Sequence, residues 1–344
     1  MSSDRPRILI SRLSAIGDVL HGVPVLNALR HAFPEAFLAW VAEGHNGELL
    51  RGHPSLDELV VVPRRWIKSP QTVMQIRRRL LALRCDTSID LQGLTKSAFA
   101  GWLSGAKRRI GFAGPDGREL SQMFNNDRLA PKGTHIIDRN LELLGKLGID
   151  SPQVQFHLPE TPTDACTATE LIARSKYHRG YAVINPGAGW PSKVWLRERF
   201  AAVARHLGQS HSLPTLVVWG GKQEHRWAEQ IAEAAGPFAT VAPPTTLTEL
   251  AALTRRATLF VGSDTGPLHL AVAVGTPSVG LFGPVSALRN GPYGAEHVAV
   301  QKMCLSGSSR SRRSAGGESM AAIQVEHVCN AIDQVRQNRT KRCA

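Results

Sequence analysis

The chemistry of this chain is indicated most clearly by residues 258–284, where polar residues separate two apolar runs. The first run ends in a Gly-Ser pair, and Asp264, Thr265 and Gly266 follow, leading into a helical apolar pattern that contains His269. This order predicts a strand, a tight turn, a helix and a second strand. Small residues let a ligand approach the backbone, and the N–H groups that open a helix attract anions. The segment therefore predicts a site for a phosphorylated ligand.

Two other loops place charged side chains after predicted strands. Lys193 lies in a loop rich in proline and glycine, residues 185–195, where its ammonium group is suited to a diphosphate. The alternative is an ordinary surface lysine. Glu224 follows a Gly-Gly pair, and a carboxylate there can accept hydrogen bonds from both hydroxyls of a ribose. The alternative is an acidic residue in the first turn of a helix.

Asp18 follows the first predicted strand, after the small residues Ser14 to Gly17, at the start of a helical pattern. Aspartate commonly caps a helix, which is one interpretation of this position. The other is a general base at the carboxyl end of a strand, kept ionised by the helix dipole. This segment alone leaves both interpretations open.

Alternating strand and helix patterns in both halves of the chain predict an α/β fold of two doubly wound, Rossmann-like domains that face each other across a cleft. The predicted strands cover residues 7–13, 37–41, 59–62, 87–91, 181–185, 216–219, 259–261 and 279–282. The predicted helices cover residues 18–29, 72–83, 196–207, 226–235, 247–254, 268–274 and 325–335. A polar connector at about residues 160–178 separates the halves.

We place an N-terminal domain at residues 1–165, a C-terminal domain at 166–324, and a helix and tail at 325–344 that packs back toward the N-terminal domain. The Ser/Arg-rich residues 306–317 are of low complexity and are predicted to form a mobile loop.

The composition excludes several classes of protein. A chain of 344 residues that is 42% hydrophobic and 20% charged is typical of a soluble globular protein with two domains. Its apolar runs are too short to cross a bilayer, and its N-terminus lacks the pattern of a secretory signal. Its five cysteines form no Cys-x-x-Cys pair, which favours a reduced cytoplasmic setting without disulfides or a structural zinc.

The net charge of +13 is concentrated in basic clusters at residues 64–68, 77–79 and 107–109. Such surfaces attract nucleic acid, anionic membranes or phosphorylated substrates. With only three tyrosines and no aromatic-basic motif of a known module, nucleic acid is the least favoured partner. We expect an anionic membrane surface or an anionic acceptor instead.

Several familiar motifs are missing or incomplete. No G-x-G-x-x-G follows the first strand and no G-x-x-x-x-G-K-[ST] occurs, which argues against a dinucleotide dehydrogenase and an ordinary P-loop protein. The triplet Asp264-Thr265-Gly266 occurs once and leads into a helix, whereas an aspartic protease needs two paired carboxylates.

With these segments placed, the chain resembles the bacterial ADP-heptose:lipopolysaccharide heptosyltransferases, which have the two-domain glycosyltransferase-B architecture. The matching motifs are SRLSAIGDVLHGVP (11–24), IDLQGLTKSA (89–98), GREL (117–120), NPGAGWPSKVW (185–195), VVWGGKQE (217–224) and GSDTGPLHLAVAVGTPSVGLFGP (262–284). The resemblance covers most of residues 7–300 and resumes in the final helix, whereas the Ser/Arg-rich residues 306–317 match nothing familiar in the family.

The resemblance implies roles for individual residues. Asp18 would be the general base and Lys193 would support the leaving ADP, so these two are the catalytic candidates. The other implied donor-binding residues, in addition to Lys193, are Ser14, Gly17, Glu224, Asp264, Thr265, Gly266 and His269. The implied acceptor-binding residues are Arg64, Arg65, Lys96 and Arg118.

The resemblance also implies an activity. The chain would transfer heptose from ADP-L-glycero-D-manno-heptose to a Kdo sugar of Kdo-lipid A with inversion, because the Arg-Arg-Trp run at residues 64–66 favours the first heptosyltransferase. The N-terminal domain would bind the acceptor and the C-terminal domain the ADP-sugar. Without an Asp-x-Asp motif, we expect cationic side chains and helix N-termini to stabilise the leaving diphosphate, and no metal to be required.

The basic surface fits a peripheral enzyme at the cytoplasmic face of the inner membrane. Three alternatives stay open: heptosyltransferase II or another surface-glycan transferase of the family, a nucleotide-sugar 2-epimerase, and a non-catalytic nucleotide-sugar sensor.

Overall fold

The computed structural model describes residues 5–173, 177 and 179–343, with side chains up to residue 338. The strands are β1 (Arg7–Ser11), β2 (Phe37–Glu43), β3 (Glu58–Val62), β4 (Thr87–Asp90), β5 (Arg108–Phe112), β6 (Asp127–Leu129), β7 (Ala182–Asn185), β8 (Thr215–Val217), β9 (Ala239–Val241), β10 (Leu259–Ser263), β11 (Ser278–Phe282) and β12 (Val298–Gln301).

The helices are α1 (Ile16–Leu20), α2 (Val23–Ala32), α3 (Pro70–Ala82), α4 (Thr95–Leu103), α5 (Ser121–Phe124), α6 (Ile136–Glu142), α7 (Pro162–Ala173), α8 (Arg197–His211), α9 (Lys222–Ala235), α10 (Leu247–Arg256), α11 (Gly266–Ala273), α12 (Ala287–Asn290), α13 (Ser309–Ser314), α14 (Glu318–Ala321) and α15 (Val325–Cys343).

Two six-stranded parallel sheets confirm the predicted α/β, doubly wound class. Their strand orders are β3-β2-β1-β4-β5-β6 and β12-β11-β10-β7-β8-β9. In each sheet the order reverses beside the first strand of the unit, which is where the loops that follow neighbouring strands diverge and leave room for a ligand. Strands buried on both faces read as continuous apolar runs, and eight of the twelve strands in the described residues were predicted in this way. The sequence analysis did not predict β5, β6, β9 and β12.

The chain divides into two compact units at Pro159 and Glu160, a few residues before the predicted boundary at 165 and 166. Helix α7 explains the difference because it packs on α10 of the C-terminal unit. Helix α15 packs on α8, β11 and β12 of the same unit. Its expected packing toward the N-terminal domain stays a prediction. Residues 1–4, 174–176, 178 and 344 of the predicted domains and connector lie outside the described residues.

Each unit has its own apolar core. In the N-terminal unit, the fully buried Trp66 stacks on Phe99 at 6.0 Å between ring centroids and anchors the basic loop before α3. In the C-terminal unit, Trp195 packs against Phe200 at 4.8 Å. The indole Nε1 of Trp195 donates to the carbonyl of Ile323 at 3.0 Å, which ties the end of the 185–195 loop to the segment before α15.

Two predicted elements differ in the structure. The helix expected from residue 18 to residue 29 is broken into α1 and α2 at Gly22, where a Cβ would lie 2.7 Å from the Trp40 ring. Residues 306–317, predicted to be a mobile loop, include the helix α13, which begins where Ser308 Oγ accepts the Ser311 N–H at 3.1 Å. No helix in the described part of the chain is long and apolar enough to cross a membrane.

Candidate functional site

The C-terminal unit gathers Lys193, Asp264 and His269 at the carboxyl ends of β7 and β10. Asn185, the last residue of β7, is level with Gly262 of β10, so the loops after both strands leave the sheet side by side. Lys193 Nζ lies 2.6 Å from Asp264 Oδ2, and His269 Nε2 lies 3.1 Å from Asp264 Oδ1. Both carboxylate oxygens are engaged, so Asp264 holds the ammonium and the imidazole in place.

The charge balance of this cluster follows from its burial. Burial by itself would raise the pKa of Asp264, but the hydrogen bond to His269 and the positive charge of Lys193 outweigh it and hold the pKa below its ordinary value. Asp264 is therefore ionised at neutral pH, and Lys193 and Asp264 together carry no net charge. A bound diphosphate would need further positive charge from its surroundings.

Helix α11 begins next to this ion pair. Its cap residue is Thr265, whose Oγ1 accepts a hydrogen bond from Asn185 Nδ2 at 3.2 Å, and its first residue is Gly266. The first-turn N–H groups of a helix have no partner within the helix, and together with the helix dipole they favour an anion. The structure thus forms the strand, turn and helix predicted for residues 258–284; anion binding there stays a prediction.

The ring of Trp190, in the loop after β7, contacts two cationic side chains. Lys193 Nζ lies 4.4 Å from the centroid of the Trp190 ring, and the Arg313 guanidinium lies 4.8 Å from it. Both distances are within the range of cation–π attraction. Arg313 is therefore the second cation beside the ring that Lys193 contacts, and it comes from the segment to which the sequence assigned no role.

Helix α13 is docked on this loop through its backbone. Ser192 Oγ donates to the carbonyl of Arg312 at 2.8 Å, and both α13 and α14 pack on the short 3-10 turn Pro191–Lys193. The composition of α13 was the signal that could have suggested a role for it, because arginines among small residues suit the binding of an anionic ligand. Its location was invisible in the sequence, because Ser192 and Arg312 are 120 residues apart.

Glu224 lies in the first turn of α9, which is the alternative that the sequence left open, and its carboxylate turns back toward the preceding loop. Its Oε2 accepts the Gly220 N–H at 2.7 Å. Burial raises the pKa of Glu224, and the Gly220 hydrogen bond offsets part of that effect. A Cβ at Gly187 would lie 2.4 Å from the Glu224 carboxyl, so glycine is needed for these two loops to approach each other. The ribose contact stays a prediction.

In the N-terminal unit, Asp18 is both a capping residue and an accessible carboxylate. Its Oδ2 accepts the Ala15 N–H at 3.1 Å at the start of α1, and its Oδ1 lies 2.8 Å from Arg12 Nη2. The Asp18 side chain is 48% exposed, whereas the Arg12 side chain is 5% exposed. The two interpretations left open by the sequence are therefore compatible, because the cap fixes a carboxylate that solvent can still reach; its role as a general base stays a prediction.

Arg12 is a residue that the sequence analysis missed. Its guanidinium donates to the carbonyl of Leu91 as well as to Asp18, and its own carbonyl accepts the Trp40 Nε1–H at 3.1 Å. It thereby orients Asp18 from within the core. An arginine near the end of the apolar run 7–13 was the signal that could have identified it.

Two of the four predicted acceptor residues, Lys96 and Arg65, contact Glu43. Lys96 Nζ lies 2.6 Å from Glu43 Oε2 and 3.2 Å from Ser14 Oγ, while Glu43 Oε1 accepts the Arg65 N–H at 3.1 Å. Lys96 is therefore already paired with a carboxylate. The exposed side chains of Arg64 and Arg65 are better placed to meet an acidic sugar from solution.

Gln92 joins these residues to Arg118. Its side-chain amide donates to the Ser14 carbonyl at 2.8 Å, and its own carbonyl accepts from Arg118 Nη2 at 3.2 Å. The fully buried Asp90 supports the turn by accepting the N–H groups of Gln92 and Gly93, both at 3.0 Å, and burial raises the pKa of Asp90. Ser14 is part of this network, and the buried Gly17 lies in α1. Donor binding by these two residues stays a prediction.

The family model for glycosyltransferase family 9 (heptosyltransferase) matches residues 73–315. The chain belongs to this family. It is 30% identical over 307 residues to lipopolysaccharide heptosyltransferase 1 of Pseudomonas aeruginosa, an alignment that covers 85% of this chain and 82% of the relative. It is 25% identical over 273 residues to an Escherichia coli lipopolysaccharide heptosyltransferase 3, covering 78% and 80%.

Solved family members have the same fold as this glycosyltransferase. E. coli heptosyltransferase WaaC with ADP superposes with a TM-score of 0.73 at 26% identity, covering 96% of this chain and 99% of WaaC. WaaC with ADP-2-deoxy-2-fluoro heptose superposes with a TM-score of 0.70 at the same identity of 26%, covering 97% and 99%. The predicted glycosyltransferase-B class of fold and the prediction of a glycosyltransferase enzyme are therefore confirmed.

Proposed function

We propose that this glycosyltransferase is an inverting enzyme that moves heptose from ADP-L-glycero-D-manno-heptose to a Kdo sugar of Kdo-lipid A. The observation that carries the proposal is the Lys193–Asp264 pair of 2.6 Å at the start of α11, with Arg313 on the same tryptophan ring as Lys193. This is an arrangement of fixed cation, second cation and helix N-terminus that suits a diphosphate. The ADP-bound relative supports a nucleotide-diphosphate donor.

The donor would be held by groups with separate tasks. Glu224 would accept hydrogen bonds from the ribose hydroxyls, and Lys193, Arg313 and the first turn of α11 would bind the diphosphate. When the bond between the anomeric carbon and the diphosphate oxygen breaks, its electron pair stays on ADP, and these positive groups stabilise the added charge. We propose that transfer needs no metal, because these cations supply the charge.

The acceptor would be activated by Asp18. Its carboxylate takes the proton from an acceptor hydroxyl as that oxygen attacks the anomeric carbon, and attack opposite the leaving group inverts the configuration. Arg12 supports this role by fixing the direction of the carboxylate at 2.8 Å. Arg64, Arg65, Lys96 and Arg118 would bind the acidic sugar and phosphates of the acceptor.

We further propose that the enzyme acts at the cytoplasmic face of the inner membrane as a peripheral protein. The net charge of +13 and the exposed Arg64 and Arg65 support attraction to an anionic glycolipid surface. Nucleic acid is not among the proposed partners.

A different acceptor is the second candidate. It is supported by the 25% identity to a lipopolysaccharide heptosyltransferase 3, a differently named member of the family. The acceptor loop near Arg64 would then recognise heptose or another surface glycan.

The test is a transfer assay with purified full-length protein, ADP-heptose and either Kdo-lipid A or heptosylated Kdo-lipid A. We expect ADP release and an inverted heptosyl product with Kdo-lipid A, and ADP binding tighter than UDP or GDP binding by calorimetry. Transfer only to the heptosylated acceptor would establish the second candidate. Conversion of a UDP-sugar without acceptor would establish an epimerase instead.

The variant Asp18→Asn tests the base in the same assay. It should keep ADP affinity and lose transfer by about 100-fold or more, since general-base catalysis contributes at least that much. Asp150→Asn, at an exposed aspartate of the same unit, is the matched control and should leave transfer unchanged. Wild-type transfer by Asp18→Asn would remove Asp18 from its proposed role.

A further inference from the structure

Two histidines and an aspartate converge on the C-terminal unit outside the donor site. His206 and His211 lie on α8, and Asp333 lies on α15. Their nearest ligand atoms all lie within 4.8 Å of one another. The sequence analysis did not identify this set, because Asp333 is more than 100 residues from the two histidines.

The cluster and Lys193 lie at opposite ends of the strands of the C-terminal sheet. A cavity of about 490 Å³ beside it is lined by His211, Asp333, Thr258 and Pro277. Thr258 immediately precedes β10 and Pro277 immediately precedes β11, so the cavity is at the amino ends of these parallel strands. The donor residues follow the carboxyl ends. A ligand bound here would not be part of the transfer site.

The spacing of the three side chains suits a single ion. His211 Nε2 lies 2.9 Å from Asp333 Oδ1, and His206 Nε2 lies 3.8 Å from the same oxygen. Ligands at about 2.1 Å from a zinc-class ion lie up to about 4.2 Å apart across it, so the observed separations need only small side-chain movements to enclose one.

One ring nitrogen of each histidine is left unsatisfied by the rest of the described chain. Among the described residues, the Nε2 atoms of His206 and His211 are buried and have no hydrogen-bond partner, although the Asp333 carboxylate is close to both. Buried polar atoms are seldom left unsatisfied, and a metal ion between the three groups would satisfy all of them.

The second nitrogen of His206 is held as it is in metal sites. Its Nδ1 lies 3.4 Å from Ser210 Oγ, one turn later on α8. A metal-bound histidine usually donates its other N–H to an oxygen, which selects the tautomer with a free Nε2 lone pair. The adjoining cavity leaves room for the ion to enter and for water to complete its coordination.

We propose that His206, His211 and Asp333 bind one divalent transition-metal ion of the zinc class, which joins α8 to α15. Two imidazoles and one carboxylate suit Zn²⁺, Co²⁺ or Ni²⁺, whereas Mg²⁺ and Ca²⁺ prefer oxygen ligands. The ion stabilises the docking of the last helix. Arg336 lines the same cavity and opposes the binding of a cation by its charge.

The test uses chelator-treated full-length protein titrated with Zn²⁺ against a chromophoric chelator. Wild type should bind one Zn²⁺ at this site, and the conservative variants His211→Gln and Asp333→Asn should bind it at least about tenfold more weakly. His225→Gln is the matched control, since His225 forms an exposed pair with Glu229 at 3.6 Å on α9 and should leave the affinity unchanged. Equal weakening in the control, or unchanged affinity in both ligand variants, would overturn the proposal.

Two further measurements separate metal binding from folding. Zn²⁺ should raise the melting temperature of the wild type and leave that of Asp333→Asn unchanged. Mg²⁺ should change the melting temperature of neither protein. Arg336→Gln should bind Zn²⁺ severalfold more tightly, because a like charge is removed. No rise in the wild-type melting temperature with Zn²⁺, or weaker Zn²⁺ binding by Arg336→Gln, would count against the site. These readouts require no transfer activity.

Discussion

Replacing Lys193 by alanine separates two tasks of one side chain, because Lys193 neutralises a buried carboxylate and is proposed to bind the donor diphosphate. Its Nζ lies 2.6 Å from Asp264 Oδ2, and the two side chains are 13% and 7% exposed. The lysine therefore cannot be removed without leaving a negative charge in the core of the C-terminal unit.

The magnitude follows from this geometry. Opposite charges 2.6 Å apart attract by about 6 kcal/mol at an effective dielectric constant of about 20. The cost of desolvating both charges offsets part of that, and breaking such a buried pair typically costs about 3–5 kcal/mol. His269 remains 3.1 Å from Asp264 in the variant, so we expect about 3 kcal/mol of lost unfolding free energy. The lost contact to a charged ligand should weaken ADP binding by about 10- to 100-fold.

The assay measures urea unfolding and calorimetric ADP binding for Lys193→Ala, Asp264→Asn and the double variant. Asp264→Asn in the Lys193→Ala background should recover most of the stability, because the unpaired charge is gone, but it should not recover ADP affinity. Lys302→Ala, at an exposed lysine of the same unit, is the control and should change neither quantity. Recovery of ADP affinity in the double variant, or unchanged stability in Lys193→Ala, would refute this account.

Two other predictions concern the same unit. Arg313→Ala should weaken ADP binding about fivefold, since a partly solvated cation contributes about 1 kcal/mol. Arg310→Ala, at another exposed arginine of α13, is the control and should bind ADP like the wild type. Equal effects of the two variants in calorimetry would exclude a specific role for Arg313. Glu224 should bind ribose hydroxyls best when ionised, and burial raises its pKa, so ADP affinity should fall as the pH drops through a midpoint above the ordinary value of about 4.3. Glu224→Gln should lose that pH dependence, and a retained dependence would assign it to another group.

The candidate site was predictable from the sequence where its residues are neighbours along the chain. Asp264, Thr265 and Gly266 follow an apolar strand and open a helix, and this local order is enough to predict an anion site. Lys193 and Glu224 were found in the same way, from loops whose glycines and prolines follow strands. The pairing of Lys193 with Asp264 was not predictable, because the two residues are 71 positions apart in the chain, whereas His269 beside Asp264 and Gly220 beside Glu224 are local partners.

Arg12, Glu43 and Arg313 show what the tertiary structure added. Arg12 reaches the Leu91 carbonyl across 79 residues, and Lys96 reaches Glu43 across 53. The predicted mobile loop became a helix because Ser192 and the short turn beside it offer α13 a surface to dock on. Such a docking surface cannot be predicted from the local composition of the segment.

The amino-acid sequence by itself determined the two α/β units, since the period of apolar residues distinguishes buried strands from helices that cover them. It also determined which loops carry charged and flexible residues at the ends of those strands. Only the tertiary structure decided which charges neutralise one another, which carboxylate stays open beside Arg12, and that His206, His211 and Asp333 converge. Pairing of this kind depends on distances between segments far apart in the chain, and electrostatic energies change steeply with distance and burial.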